Sequence, residues 1–279
     1  MSISEVLVVG GKTLRDAGID GATRDARLLL AQALGIGVER LTIEAEKTVT
    51  QSELEIFSAM LDRRVAREPV SRILGRRAFW GRDFMVTPDV LDPRPETETL
   101  IEAALAGGAV ERILDLGTGS GILALTLLAE WPEARAVASD ISEDALIVCV
   151  KNAGKHGLGP RLSVLVSDWY EQIDGVFDLI VSNPPYIAAA EMGDLSEEVR
   201  QFDPVIALSP GGDGLDSYRI IAAGAQSRLA PNGRILVEIG HLQGVAVAEI
   251  FANAGLAEIT VLPDMDGRDR VVAANMPRK

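Results

Sequence analysis

Two short stretches hold residues whose types and spacing could do chemistry. Residues 115–121 read Asp-Leu-Gly-Thr-Gly-Ser-Gly, and residues 183–186 read Asn-Pro-Pro-Tyr. In the first, Gly117, Gly119 and Gly121 let the backbone turn sharply and approach a ligand with no Cβ in the way, with Thr118 and Ser120 between them. In the second, Pro184 and Pro185 remove two backbone donors, so the pair cannot continue a central strand. They hold two acceptors rigidly, the side-chain carbonyl of Asn183 and the backbone carbonyl of Pro184, and Tyr186 adds a ring that could stack on something flat. A planar NH2 group has two donors and a delocalised, poorly nucleophilic lone pair. Holding its hydrogens aims that lone pair at an electrophilic carbon. The loop is suited to alkylating an amide or amidine nitrogen.

The glycine spacing is G-x-G-x-G, whereas a pyrophosphate-binding turn takes G-x-G-x-x-G, and Ile122 stands where that pattern would continue. Asp115, two residues before the first glycine, would repel a pyrophosphate but could meet an ammonium group. Asp140 lies 19 residues past Gly121, where an acid accepts ribose hydroxyls in open α/β sheets. Asp168 and Trp169 add a carboxylate and a large π-face at the end of a third apolar run. Each acid alone reads equally well as a helix cap or a solvated charge. Three at successive strand ends beside a glycine loop imply a ligand with an amine, a ribose and a base but no phosphates. S-adenosyl-L-methionine fits that description.

The elements that must position these residues follow from periodicity. From residue 112 short apolar runs alternate with helical stretches: strands "RILDLG", "RAVASD", "RLSVLVSD", "FDLIVSN" and "GRILVEIG", then two closing strands near 256–262 and 269–274. Apolar strands alternating with helices indicate a parallel sheet covered on both faces. The closing pair is joined too tightly for a helical crossover, so those strands should be antiparallel neighbours. The first 70 or so residues read as about four short helices. Among them are a Thr50/Glu53 capping box and a helix from Thr23 to a Gly35 stop. Residues 75–93 alternate around Gly81, as a hairpin would. The expected division is a helical domain over 1–74 that docks a partner, a hairpin linker over 75–93 and a catalytic domain over 94–279.

Net charge is -14, and residues 1–90 are neutral, with 13 basic and 13 acidic groups, so residues 91–279 carry the whole excess. That is the wrong sign for displacing counterions from nucleic acid. From Arg63 to Arg82 there are seven arginines and one acid, Glu68, either a solvated helix end and hairpin or a docking surface. Cys149 is the sole cysteine and His156 and His241 the only histidines, which leaves neither a disulfide nor a metal-ligand spacing. The N-terminus lacks a signal peptide's apolar run and no stretch is long enough to cross a membrane, so a cytoplasmic location is expected.

"SNPPY" after "DLGTGSG" resembles class I methyltransferases that act on planar nitrogens. "RPETE" at 94–98, "SDW" at 167–169 and "LSPGGDGLDSY" at 208–218 are similar to the peptide-chain-release-factor glutamine methyltransferases. The resemblance covers essentially the whole chain. One departure is Asp92, where family members often have an apolar residue. The resemblance implies an α/β fold: a doubly wound, mostly parallel, seven-stranded Rossmann-like methyltransferase sheet with a small N-terminal helical bundle and linking β-hairpin. It implies methyl transfer from S-adenosyl-L-methionine, leaving S-adenosyl-L-homocysteine, to N5 of the glutamine in the Gly-Gly-Gln motif of peptide chain release factors 1 and 2. Gly117 to Gly121, Asp140, Trp169 and Asn183 are implied to bind the cofactor, to which the residue reading adds Asp115 and Asp168, and Asn183 to Tyr186 are implied to hold the amide. Roles for Arg94, Glu96 and Glu98 do not follow. A monomer that touches neither nucleic acid nor membrane is expected.

Two rivals remain at this stage. An adenine N6-methyltransferase would also meet a flat NH2 group but needs a basic cleft. A non-catalytic cofactor-binding module would have no use for Asn183 and Tyr186.

Overall fold

The structure, a computed structural model, describes residues 1–278, which divide into two compact units. The first comprises residues 1–76 together with 196–202. Its helices are α1 (Ile3–Asp16), α2 (Ala22–Leu34), α3 (Arg40–Ile43), α4 (Gln51–Val65) and α5 (Val70–Leu74). Both longer polar starts are capping boxes, Ser2 with Glu5 on α1 and Thr50 with Glu53 on α4, each satisfying two of the orphan N–H groups of a first turn. Helix α2 starts at Ala22 after left-handed Gly21, one residue before the Thr23 start expected, and ends at left-handed Gly35. Leu14, Leu29, Leu30, Leu41 and Phe57 are buried together as the core of this unit.

The arginine run is taken up by internal partners. Arg63 pairs with Glu68, and Arg64 lies between Asp25 at 2.8 Å and Glu198 at 2.9 Å. Arg67 donates to the carbonyls of Ala17 and Gly18, and Arg76 to Gln32. Arg72 is buried and engaged. In the second unit Arg77 pairs with Asp92 and Arg82 with Glu130. Arg64 and Arg72 are thus buried within the fold, whereas Arg63 and Arg76 pair at its surface. Through Glu198, residues 196–202, expected in the catalytic part, join the first unit.

The second unit comprises residues 77–195 and 203–278. Its hairpin strands are β1 (Arg76–Phe79) and β2 (Arg82–Met85). The hairpin is not a free-standing linker. Met85 N donates to Asn152 Oδ1, and Asn152 Nδ2 in turn donates to the carbonyls of Met85 and Ser120. Glu98 accepts from Trp80 N, so one residue of the "RPETE" stretch anchors the hairpin tip.

A 3-10 turn (Pro95–Thr97) leads into α6 (Glu98–Ala106), and the main sheet follows: β3 (Arg112–Leu116), α7 (Ile122–Glu130), β4 (Arg135–Asp140), α8 (Glu143–Lys155), β5 (Leu162–Val166) and β6 (Phe177–Ser182). The stretch after β6 carries a 3-10 turn (Ala189–Asp194) and two short helices, α9 (Glu197–Phe202) and α10 (Val205–Leu208). They are too brief to show a periodic pattern. Then come α11 (Asp216–Arg228), β7 (Leu229–Glu238), α12 (Gly244–Asn253), β8 (Ala257–Pro263) and β9 (Asp269–Asn275).

Strand order is β5-β4-β3-β6-β7-β9-β8, parallel from β5 to β7 and antiparallel at β9 and β8. The closing strands are thus the antiparallel pair expected. Both faces are covered. One core holds Leu100, Leu125, Leu179 and Leu236, and the other Ile180, Tyr218, Ile235 and Phe251. The direction of winding reverses between β3 and β6. A crevice opens at such a switch point, beyond the strands' carboxyl ends. Gly117 follows β3 and Asn183 follows β6, so the two chemical stretches sit side by side there.

Candidate active site

A cavity of about 450 Å³ occupies this crevice. Gly117, Thr118, Gly119 and Ser120 form part of its wall, as do Asp140, Asp168, Trp169, Asn183 and Pro185. The glycine loop is fixed from both sides. Thr118 N donates to Ser139 O, and Gly119 N donates to Asp140 Oδ2 at 2.9 Å. Gly119 has φ +54°, and a Cβ there would project into open space. Gly121, φ +85°, is different. A Cβ on it would come within 2.7 Å of Cys149 Sγ and 2.9 Å of Leu125, so this glycine seats α7 against α8 and is absent from the wall.

Asp115 is also off the wall. It is fully buried behind the loop, where Oδ2 accepts from Thr118 Oγ1 at 2.6 Å and from Ala124 N at 3.1 Å. The expectation that it meets a ligand's ammonium is corrected to a brace that shapes the loop. A side chain that leaves a central strand among apolar neighbours finds loop donors before it finds a ligand. Burial pushes its carboxyl up to about 7, against the pull of Thr118 and Ala124, and Oδ1 has no donor among the described residues.

Asp140 faces the cavity with its carboxylate oriented by Gly119 N and by Ser142 N at 3.0 Å. Burial raises its pKa, and those backbone donors counter the rise. A carboxylate has about four acceptor positions, so two stay open for hydroxyls. Trp169 has φ +48°, uncommon for a bulky residue. Ser167 holds that strained backbone by donating from its hydroxyl to the Trp169 carbonyl while accepting from Gln172 N. Asp168 beside it is exposed.

The Asn-Pro-Pro-Tyr loop is pinned through its carbonyls. Ser217 donates to Pro185 O, Gln243 to Tyr186 O and Ser209 to Ile187 O, whereas no described residue donates to Pro184 O. Asn183 donates from Nδ2 to Thr97 Oγ1 at 3.2 Å. Tyr186 was expected to stack on a bound group. Its ring instead packs into the core around Tyr218, and burial drives its hydroxyl pKa well up. Pro184, too, is buried and off the wall.

Two groups around the site, Thr97 and Glu238, were missed in the sequence, and Arg94 had been named without a role. Thr97, inside "RPETE", touches Asn183. Arg94 in the same stretch pairs with Asp203, which also accepts from Asp92 N. Glu238, the last residue of β7, is a carboxyl with 1% exposure beside Thr97 and Asn183. An acid ending the apolar run "RILVEIG" is the same signal that marked Asp140, and it could have been read.

The wall carries four carboxylates, Asp89, Asp140, Asp168 and Asp216, against one cation, Arg94. A pocket of that sign favours a sulfonium and an ammonium over phosphates. With the open glycine cradle and the unfilled acceptor positions of Asp140, its donor set fits S-adenosylmethionine.

Family models agree with this geometry. One described as the PrmC N-terminal domain matches residues 5–75, and one described as the Methyltransferase small domain matches residues 92–212. The chain is 53% identical over 277 residues to the release factor glutamine methyltransferase of Cereibacter sphaeroides, covering 99% of each chain. It is 43% identical over 278 residues to the protein of that name in Agrobacterium fabrum, covering 97% of this chain and 96% of the relative. Among solved structures, a Pyrococcus furiosus methyltransferase aligns with TM-score 0.54 at 15% identity, over 78% of this chain and 97% of that one. The T. thermophilus 16S rRNA N2 G1207 methyltransferase aligns with TM-score 0.52 at 20% identity, over 72% of this chain and 50% of that one. These structural likenesses show a shared fold.

Proposed function

The chain belongs to the release factor glutamine methyltransferases, and from that premise we propose how its site methylates the side-chain amide of a release-factor glutamine. It is an S-adenosylmethionine-dependent protein methyltransferase. Bound, that group supplies an electrophilic methyl on a sulfonium that is its own leaving group.

The residues divide the work of holding two partners. The Gly117–Ser120 backbone receives the amino-acid end of the cofactor. Asp140 takes the ribose hydroxyls on its two open acceptor positions, and Asp168 and Trp169 flank the base. Across the cavity, the Asn183 side-chain carbonyl and the Pro184 carbonyl accept the two N–H hydrogens of the glutamine amide. No described residue donates to the Pro184 carbonyl, which lies between the wall residues Asn183 and Pro185, so it is left open to a ligand donor. Holding both hydrogens turns the nitrogen lone pair toward the methyl. The nitrogen gains the carbon, the C–S bond electrons stay on sulfur, and the amide proton passes to solvent. Positioning and electrostatics carry the rate, with no covalent enzyme intermediate.

The substrate in this reading is the glutamine of the Gly-Gly-Gln motif in release factors 1 and 2. The product is N5-methylglutamine, and the enzyme acts as a monomer in the cytoplasm, where termination occurs. One observation carries the reading: Asn183 and the glycine loop share one acidic cavity at the switch point. The test incubates the protein with methyl-labelled S-adenosylmethionine, a bacterial class 1 release factor and, separately, DNA and RNA. Mass mapping should place one methyl on the Gly-Gly-Gln glutamine and none on nucleic acid. Label on adenine instead would overturn it.

A further inference from the structure

An asparagine amide has two ends, one accepting and one donating, that differ little in shape. A site that uses the oxygen needs something to choose it. We propose that Glu238 is the positioning residue that makes this choice, holding the NH2 end of Asn183 away from the cavity so that Oδ1 meets the substrate nitrogen. The proposal rests on the reading above, in which Asn183 Oδ1 is an acceptor for the glutamine amide.

The placement follows from strand register. Ser182 of β6 pairs with Val237 of parallel β7, so the next residues, Asn183 and Glu238, leave adjacent strand ends side by side. They share the sheet face that carries Leu179, Val181 and Leu236 into one core. Thr97 comes down on that face from the turn before α6. Asn183 Nδ2 donates to Thr97 Oγ1, which uses a hydroxyl lone pair and leaves the Thr97 hydrogen free to be given. Glu238 stands beside both, and the neighbouring Thr97 and Asn183 side chains pull its carboxyl pKa down against burial.

An ionised carboxylate only accepts, so the groups turned toward it must donate. The Asn183 amide can satisfy that with its nitrogen end alone. A buried carboxyl is expensive where an apolar residue would pack, and Oε2 of Glu238 lacks a donor among the described residues. Packing does not account for it, whereas orientation of the amide does. The groups facing it are Arg270 on β9, Glu96 on the 3-10 turn, Tyr186 on the loop and Tyr218 on α11. Burial pushes this carboxyl up to about 7, with Thr97, Arg270 and Asn183 pulling against the rise and Glu96 adding to it. Once protonated, Glu238 can donate to Asn183 Oδ1. The amide is then free to turn over and present NH2 to a substrate NH2, donor against donor. Turnover should therefore follow the ionised fraction of Glu238.

The test uses full-length protein with a bacterial class 1 release factor and S-adenosylmethionine. Gln at 238 keeps the shape but can donate, so Glu238→Gln should lower kcat about 10- to 100-fold, the range for a lost hydrogen bond to a charged group. KM for both substrates should stay within about threefold. Wild-type kcat should rise with pH through neutrality, and that rise should be missing in Glu238→Gln. Thr97→Val should reproduce the loss and Thr97→Ser should retain turnover, which covers the case of a misfolded Glu238→Gln. The proposal is overturned if Glu238→Gln, or a folded Thr97→Val, keeps wild-type kcat and pH profile while Asn183→Ala has lost turnover. Retained turnover in Asn183→Ala would instead remove the reading beneath it.

Discussion

The backbone N–H of Gly119 donates to the carboxylate of Asp140 across 2.9 Å, which makes the glycine loop and the acid ending β4 a single rigid piece. The acid is thereby oriented before any ligand arrives, and the loop cannot collapse into the space a ligand would use.

Asp140→Ala should remove both the ribose acceptor and this brace. Cofactor affinity should fall by about 1.5–3 kcal/mol, the range for hydrogen bonds to a charged group. Calorimetric titration with S-adenosyl-L-homocysteine reads it directly. Unchanged affinity would place the ribose elsewhere.

Asp115 gives a pH signature of stability. Its folded pKa, about 7, lies above the ordinary aspartate value of about 3.9. The folded state therefore binds its proton more tightly than the unfolded chain does. That contribution is complete at low pH and is lost as pH rises from about 4 through about 7. Asp115→Asn has no such titration. The stability of the variant relative to wild type should grow over that window, by an amount on the order of a few kcal/mol. Urea unfolding at several pH values measures the difference, in which other carboxylates cancel. A flat difference would show that the carboxyl is not held protonated by burial.

How much of this could be read beforehand depends on where the information lies. The sheet was legible because "RILDLG", "FDLIVSN" and "GRILVEIG" are short apolar runs with helical stretches between them, which is a local signal. Gly119, Asp140, Trp169 and Asn183 were legible because a strand end followed by a turn residue or an acid is local too. Direction was not. Asp115 and Tyr186 point into the protein because of what packs behind them, Ala124 and the core around Tyr218, and no spacing reveals that. Thr97 meets Asn183 only because the sheet brings residues 86 positions apart together. The arginine run was left with two readings for the same reason. The counter-charges of Arg64, Asp25 and Glu198, lie far away in the chain.

Arg64 follows from that correction. Its guanidinium side chain is 7% exposed between two carboxylates, whereas Arg63 in its pair with Glu68 is 47% exposed. Arg64→Ala leaves Asp25 and the partly exposed Glu198 without their partner and should cost about 1.5–3 kcal/mol. Arg63→Ala should cost less than about 1 kcal/mol. Chemical denaturation of both variants compares them. Equal, small losses would mean that Arg64 is not holding residues 196–202 to the helices.

The central claim is that Asn183 acts on the substrate nitrogen as the methyl is transferred. The most direct measurement is the single-turnover methylation rate of Asn183→Ala on an intact release factor, alongside its dissociation constant for S-adenosylmethionine. The rate should fall by about a hundredfold or more, the scale seen when a positioned hydrogen-bonding group is removed from a reacting centre, while the dissociation constant stays within a few-fold. A wild-type single-turnover rate, with only KM raised, would contradict the account.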